Sequence, residues 1–305
     1  MKVVNNILEL IGDTPILKLN RMAGSEDASV YVKLEGFNPG GSIKDRPGLH
    51  MIEKAEQQGE LKPGSVIIEA TSGNTGIGLA MAAAVKGYRI IIVMPENMSA
   101  ERKKLLQFYG AELILTPASE GMPGAVEKAR QIAENNKGYF LVRQFENQAN
   151  PESHEISTAR EILAQMEGHL DAVVCGVGSG GTITGVAAGL KSHLPDIKIV
   201  GVEPLGSAVL SGKKPGPHKL QGIGAGFIPQ VLNIKLIDRV IPVSDQDAFT
   251  TCREVARKEA VLVGISSGAA IFAALLLAQE MDRDKKILVI APDGAEKYLS
   301  TELFD

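Results

Sequence analysis

Two cysteines in 305 residues, Cys175 and Cys252, are too few and too far apart for a disulfide framework, and they form no C-x-x-C pair that would suggest zinc. The five histidines, His50, His154, His169, His193 and His218, show no ligand spacing, so no metal is expected, and no Ser-His-Asp set can be assembled. His154, at the start of a helical pattern, reads as structural. Charge of one sign is also missing. The net charge is −4 with acids and bases interspersed, which leaves no basic stripe for nucleic acid and no like-charge tail. No uninterrupted apolar run reaches the ~18 residues of a membrane span. The opening Met1-Lys2-Val3-Val4-Asn5-Asn6 lacks the long apolar stretch of a signal peptide, so the expected location is the cytoplasm. No stretch is of low complexity, and the spacing of elements is too irregular for a repeat.

What is present is a chain that is 44% hydrophobic and long enough for two ordinary domains or one large one. Short apolar, β-branched runs alternate with amphipathic helical patterns. Strands are expected at 30–35, 65–69, 89–94, 112–115, 171–175, 198–202, 239–243 and 286–291. Helices are expected at 46–58, 75–86, 100–109, 123–135, 151–165, 182–193, 245–259 and 267–281. Several strands are apolar at consecutive positions, as strands covered by helices on both faces are. The alternation implies an α/β protein with parallel sheets. The polar segment 145–151, ending in Pro151, suits a domain break, and the Gly- and Pro-rich stretch 205–229 reads as a long loop of the functional kind.

Three polar, glycine-rich turns stand out against this background. The first, Asn38-Pro39-Gly40-Gly41-Ser42-Ile43-Lys44, sets a lysine before a helix that opens with Asp45, Arg46 and Pro47. The positive end of the helix dipole there favours the neutral amine, the form that attacks an aldehyde. Taken alone, such a lysine is more often solvated. The second, Thr71-Ser72-Gly73-Asn74-Thr75-Gly76, lies between strand and helix, where free amides and two hydroxyls suit an anion such as an amino-acid carboxylate. Its plain alternative is a helix cap. The third, Gly176-Val177-Gly178-Ser179-Gly180-Gly181-Thr182, can wrap a phosphate; with no lysine or arginine in it, the dianion would rest on amides, hydroxyls and the helix dipole. A fourth segment, Gly264-Ile265-Ser266-Ser267, opens an apolar helix; one serine is expected to cap it and the other to meet a ligand.

The third turn also satisfies G-x-G-x-x-G through Gly176, Gly178 and Gly181, and the next strand ends in Glu203, where a dinucleotide fold keeps its ribose-binding acid. A nicotinamide reading, however, leaves Lys44 and the Thr71 turn unexplained. A lysine for an imine, a carboxylate loop and a phosphate loop together are what pyridoxal-phosphate chemistry on an amino acid requires.

Together these residues, from Ile11-Gly12-Asp13-Thr14-Pro15 to Lys297-Tyr298-Leu299-Ser300-Thr301, resemble the cysteine synthase (O-acetylserine sulfhydrylase) family of pyridoxal-phosphate enzymes. The resemblance implies fold type II, akin to the tryptophan synthase β subunit, with two domains that each hold a twisted, mostly parallel sheet flanked by helices. It implies a small, mobile, substrate-binding domain over 40–147 and a large cofactor-binding domain made of 1–39 and 148–305. It implies that Lys44 carries the pyridoxal 5′-phosphate as a Schiff base and shuttles the α-proton. Asn74 would contact the phenolic oxygen; Gly178, Ser179, Gly180, Gly181 and Thr182 the phosphate; Ser266 the pyridine nitrogen. Thr71, Ser72, Thr75 and Gln144 would bind the substrate carboxylate, with Gly222 opposite the amine. The implied reaction replaces the acetoxy group of O-acetyl-L-serine with sulfide.

Two departures bear on the second substrate. Glu155-Ile156-Ser157-Thr158-Ala159-Arg160-Glu161-Ile162 replaces the usual Thr-Thr-Gly-Pro-Glu-Ile, and Pro292-Asp293 follows the last strand, as in some relatives that accept homocysteine. An O-acetylserine-dependent cystathionine β-synthase is therefore the alternative, without the haem-binding and regulatory extensions of the large animal enzyme. By resemblance a homodimer is expected, together with docking to serine acetyltransferase, for which the 96–101 loop is a candidate surface. No nucleic-acid or membrane partner is expected.

Overall fold

A computed structural model describes residues 3–305. In chain order its elements are β1 (Ile16–Lys18), β2 (Ser29–Leu34), α1 (Asp45–Gln57), β3 (Val66–Ala70), α2 (Asn74–Lys86), β4 (Arg89–Pro95), α3 (Ala100–Phe108), β5 (Glu112–Thr116), α4 (Gly121–Asn135), β6 (Tyr139–Leu141), α5 (Ala149–Ser153), α6 (Ala159–Gln165), β7 (Ala172–Gly176), α7 (Gly181–Lys191), β8 (Lys198–Pro204), β9 (Arg239–Val243), α8 (Asp245–Glu259), α9 (Ile265–Glu280) and β10 (Lys286–Ala291). The fold is α/β, built on two mostly parallel sheets. Among the described residues no helix is long and apolar enough to cross a membrane.

The chain forms two compact units. The smaller comprises the chain up to Ile11 and Lys44–Asn150; the larger comprises Gly12–Ile43 and Pro151–Asp305. The expectation placed all of 1–39 in the larger unit. The first segment instead joins the smaller one, because Leu8, in a 3-10 turn over Ile7–Leu10, packs against that unit's core beside α2.

The smaller unit holds a four-stranded parallel sheet in the order β5-β4-β3-β6. The apolar residues of β3 alternate between its two faces. Ile67 joins Met51, Ile52, Leu79 and Ile92 in the core under α1 and α2, whereas Val66, Ile68 and Ala70 pack with Ala125 and Ala129 of α4. Truncating one fully buried member such as Leu79 to alanine should cost about 2–5 kcal/mol. Helix α2 stops at Gly87, whose left-handed φ of 76° lets its amide close back on the Ala83 carbonyl.

The larger unit holds six strands in the order β1-β2-β10-β7-β8-β9. All pairs are parallel except β1 with β2. One face packs under α8 and α9, the other under α6 and α7. Helix α9 is apolar nearly all round and deeply buried, as a helix in the middle of a large core must be.

The helix expected at 151–165 is three pieces rather than one. Between α5 and α6 the chain takes a π-helical turn over His154–Thr158, with the Ala159 amide bonding the His154 carbonyl. Gly185 and Gly189 of α7 lie against this turn so tightly that a β-carbon on either would strike Pro151, His154 or Ala159.

Candidate active site

In each sheet the strand order reverses once. In the smaller unit the reversal falls between β3 and β6, and in the larger between β7 and β10. Open α/β sheets bind ligands outside the carboxyl ends of the strands that flank such a reversal. The second and third glycine-rich turns follow β3 and β7 directly.

In the smaller unit, Lys44 is the residue on which α1 begins, and it is half-buried. Its carbonyl accepts from the Gly48 amide at 2.9 Å. Helix α2 crosses α1 here at very short range. A β-carbon on Gly48 would come within 2.8 Å of the Gly78 backbone, and one on Gly78 within 2.6 Å of the Lys44 carbonyl oxygen. The peptide that carries the lysine is thus fixed by backbone contact.

The cap of α2 is Gly73, not Thr71 or Ser72, so no capping side chain closes the helix's first amides. Thr71 Oγ1 instead accepts from the Gly73 amide at 3.2 Å, and Arg102 donates to the Ser72 carbonyl at 3.1 Å. Asn74 is the first residue of α2. Thr75 Oγ1 donates to Gln144 Oε1 at 2.7 Å, both side chains being buried. Gln144 comes from just beyond β6, so the reversal between β3 and β6 is what brings it to the Thr71 turn. The structure therefore gathers Thr71, Ser72, Asn74, Thr75 and Gln144 at one sheet end.

Sequence reasoning missed the residue beneath them. Glu69, on β3, is buried, and its carboxylate accepts from the backbone amides of Arg143 at 2.8 Å and Gln144 at 3.3 Å. Burial pushes its pKa up to about 7, against the pull of these hydrogen bonds. Seventy-odd residues separate Glu69 from Arg143, and no local pattern links them.

In the larger unit, the Gly176–Thr182 turn meets Gly222 and Ser266. A β-carbon on Gly178 would collide with the Gly222 carbonyl oxygen, and one on Gly180 would come within 2.7 Å of Leu232. Gly180 is the cap of α7 with a left-handed φ of 84°, which glycine takes without strain. Ser179 Oγ lies 3.5 Å from the Gly181 amide. Thr182, in the first turn of α7, shares a 3.3 Å contact with Nε2 of the fully buried His154, whose Nδ1 lies 3.0 Å from Thr158 Oγ1. His154 is structural as expected, but what it supports is the phosphate-loop candidate Thr182.

Ser266 lies in the first turn of α9 and is buried; the expected serine cap is instead Gly264. Ser267 Oγ, 3.4 Å from the Asp293 carbonyl oxygen, ties this turn to the segment after β10. A β-carbon on Gly222 would sit 3.7 Å from Ser266 Oγ. A glycine cradle with no room for side chains, a helix N-terminus with no capping side chain and a buried hydroxyl fit a phosphorylated heteroaromatic cofactor.

The nicotinamide reading fails on Glu203. That carboxylate is buried, and both its oxygens are taken by the amides of Leu210 and Ser211, at 2.7 and 3.0 Å. Both thiols are buried, which pushes Cys175 and Cys252 up to about 12. No cluster of metal ligands occurs among the described residues.

Residues 7–293 match the family of pyridoxal-phosphate dependent enzymes. This chain belongs to that family. A cysteine synthase of Staphylococcus aureus is 54% identical over 304 residues, 99% of this chain and 98% of its own. The crystal structure of a cysteine synthase (OASS) from Entamoeba histolytica superposes with a TM-score of 0.96 at 46% identity, covering 99% of this chain and 91% of that one. An O-acetylserine dependent cystathionine beta-synthase from Helicobacter pylori superposes with a TM-score of 0.94 at 40% identity, covering all of both chains. Like the rest of the family, this chain depends on pyridoxal phosphate.

Proposed function

We propose that this chain is a cysteine synthase, a transferase that exchanges the acetoxy group of O-acetyl-L-serine for sulfide and releases L-cysteine and acetate. The observation that carries this reading is the 54% identity to a cysteine synthase across 99% of the chain. Bound pyridoxal phosphate withdraws electrons from the α-carbon of an amino acid, which labilises the α-proton and a leaving group on the β-carbon.

The chain's own residues do the rest. The larger unit would hold the cofactor: the amides of Gly178, Ser179, Gly180 and Gly181, the Thr182 hydroxyl and the α7 dipole would grip its phosphate. Ser266, a neutral hydroxyl, would hydrogen-bond the ring nitrogen without protonating it as a carboxylic acid does. Asn74 would contact the phenolic oxygen. Lys44 Nζ would hold the aldehyde and would move the substrate's α-proton. In the smaller unit Thr71, Ser72, Thr75 and Gln144 would orient the substrate carboxylate; in the larger unit the Gly222 backbone would meet the amine.

The purified protein should be yellow, change its absorbance on addition of O-acetyl-L-serine, and release cysteine only when sulfide follows. A colourless protein that takes up no cofactor would count decisively against the proposal. A large preference for homocysteine over sulfide, assayed side by side, would move the chain to cystathionine synthesis.

We further propose that the enzyme is a cytoplasmic homodimer that docks with serine acetyltransferase. Light scattering tests the dimer. Co-elution with the acetyltransferase, undone by O-acetyl-L-serine, tests the complex, and failure to co-elute removes it.

A further inference from the structure

We propose that Glu69 is a positioning residue whose carboxylate holds the Arg143–Gln144 turn and thereby sets Gln144 for the substrate carboxylate. This deepens the reading above and rests on it. Arg143 sits at φ 57°, the left-handed region that costs a side chain about 1–2 kcal/mol. Its neighbours lock around that conformation. The Glu146 and Asn147 amides both bond the Arg143 carbonyl at 2.9 Å, Asn147 Nδ2 bonds the Val142 carbonyl at 3.0 Å, and Asn150 Nδ2 bonds the Gln144 carbonyl at 2.8 Å. Two consecutive amides, of Arg143 and Gln144, point at the one buried carboxylate. The Gln144 side chain accepts from Thr75 and also hydrogen-bonds the Glu69 carboxylate itself. Glu69 thus stands one bond behind a residue of the carboxylate site, in the crevice where strand order reverses.

Only the ionised carboxylate offers both amides a full acceptor; protonation converts one oxygen to a donor. Burial raises the Glu69 pKa to about 7. Hydrogen bonds from Arg143 and Gln144 oppose this rise, but the surrounding charges supply little to counter it. Strand β4 sets Ile92 beside it, and β6 carries only Tyr139 as a titratable group. The charges of α4, Glu127, Lys128, Arg130 and Glu134, are exposed beyond the opposite face, and Arg89 of β4 pairs with Glu112 at the surface. On the near side, α2 carries only Lys86, which is paired with Glu53 and Glu56. Helix α1, packed on α2, adds Asp45, Arg46, His50 and Lys54. In the turn itself Arg143 is exposed, and exposed Glu146 raises the Glu69 pKa further.

The test uses the holoenzyme and propionate, a carboxylate without an amine whose charge is constant between pH 6 and 8. Turnover of O-acetyl-L-serine with sulfide is measured first; its absence would sink the functional reading and this proposal together. With turnover in hand, the propionate inhibition constant should rise about fivefold in the unmodified enzyme as pH falls from 8 to 6. In Glu69→Gln it should be flat, with KM for O-acetyl-L-serine about tenfold higher, kcat within about twofold and cofactor content unchanged. Adding Arg143→Gly, which takes the left-handed turn freely, should restore most of the KM. If Glu69→Gln does not fold, the profile of the unmodified enzyme decides. A flat profile there, or an unchanged KM in the variant, overturns the role of Glu69 and leaves the functional reading standing.

Discussion

A β-carbon placed on Gly78 would lie 2.6 Å from the carbonyl oxygen of Lys44. The lysine's backbone position is therefore set by the absence of a side chain on the neighbouring helix. Gly78→Ala should gain helix propensity of about 1 kcal/mol and lose more to overpacking, about 1–3 kcal/mol. The expected outcome is a lower thermal midpoint, together with a shifted cofactor absorbance and reduced turnover. Unchanged absorbance would show that α1 and α2 separate without moving Lys44.

Gly178→Ala tests the cofactor cradle. Its methyl would meet the Gly222 carbonyl oxygen, so one of the two loops must yield. If the proposed cradle is right, cofactor affinity should fall at least about tenfold, read by titrating the apo-protein, because the loop amides lose their alignment. Stability of the apo-protein should fall far less.

Buried Lys33 supplies a third prediction. Its Nζ lies 2.9 Å from Glu161, 2.8 Å from Gln165 Oε1 and 3.0 Å from the Thr14 carbonyl oxygen. Glu161→Ala removes the counter-charge and leaves an ammonium in the core, which should cost about 3–5 kcal/mol in urea unfolding. Lys33→Met in the same background should recover part of the loss.

The raised pKa of Glu69 has a thermodynamic sign that can be checked. The folded value, about 7, exceeds the ordinary carboxyl value of 4.5, so the native state binds the extra proton between them. Relative stability from this group is complete below about 4.5 and is lost as pH rises towards 7, on the order of 3 kcal/mol in all. The unfolding free energy of the unmodified protein, minus that of Glu69→Gln, should therefore decline over this window. The ionised form that best holds the Gln144 turn is also the form that weakens the fold.

Cys175 and Cys252 should not react with a thiol reagent in the native protein near neutral pH, because burial holds both thiols protonated. Both should react once the protein is unfolded, and a fast native reaction at either would show a local opening.

Much of the fold was legible because β3, β4, β7, β8 and β10 are continuous β-branched runs between amphipathic helices. Strands β1 and β6, three residues each, are too short to carry a period and were missed. The π-turn at 154–158 was invisible, since one extra residue in a turn leaves the apolar spacing of 151–165 almost unchanged. The strand–turn–helix setting of the Thr71 and Gly176 turns was legible from the polar, glycine-rich break between an apolar run and a helical pattern. The caps were not: Gly73 and Gly264 take the place expected of Thr71 or Ser72 and of a serine at 266–267, because the cap depends on backbone angles that residue type alone does not fix. Glu69 escaped notice because its partners arrive only after β4 and β5 have been laid on one side of β3 and β6 on the other.

The placing of the Thr71 and Gly176 turns at strand-order reversals has an evolutionary corollary. In each unit the turn owes its place to the routing of the main chain between strands. Exchanging the short stretches at 71–75, 144 or 222–229 could redirect such a protein to another leaving group or incoming thiol while every core residue stays put. Diversification by loop is cheap on this scaffold, and catalytic novelty need not await a new fold.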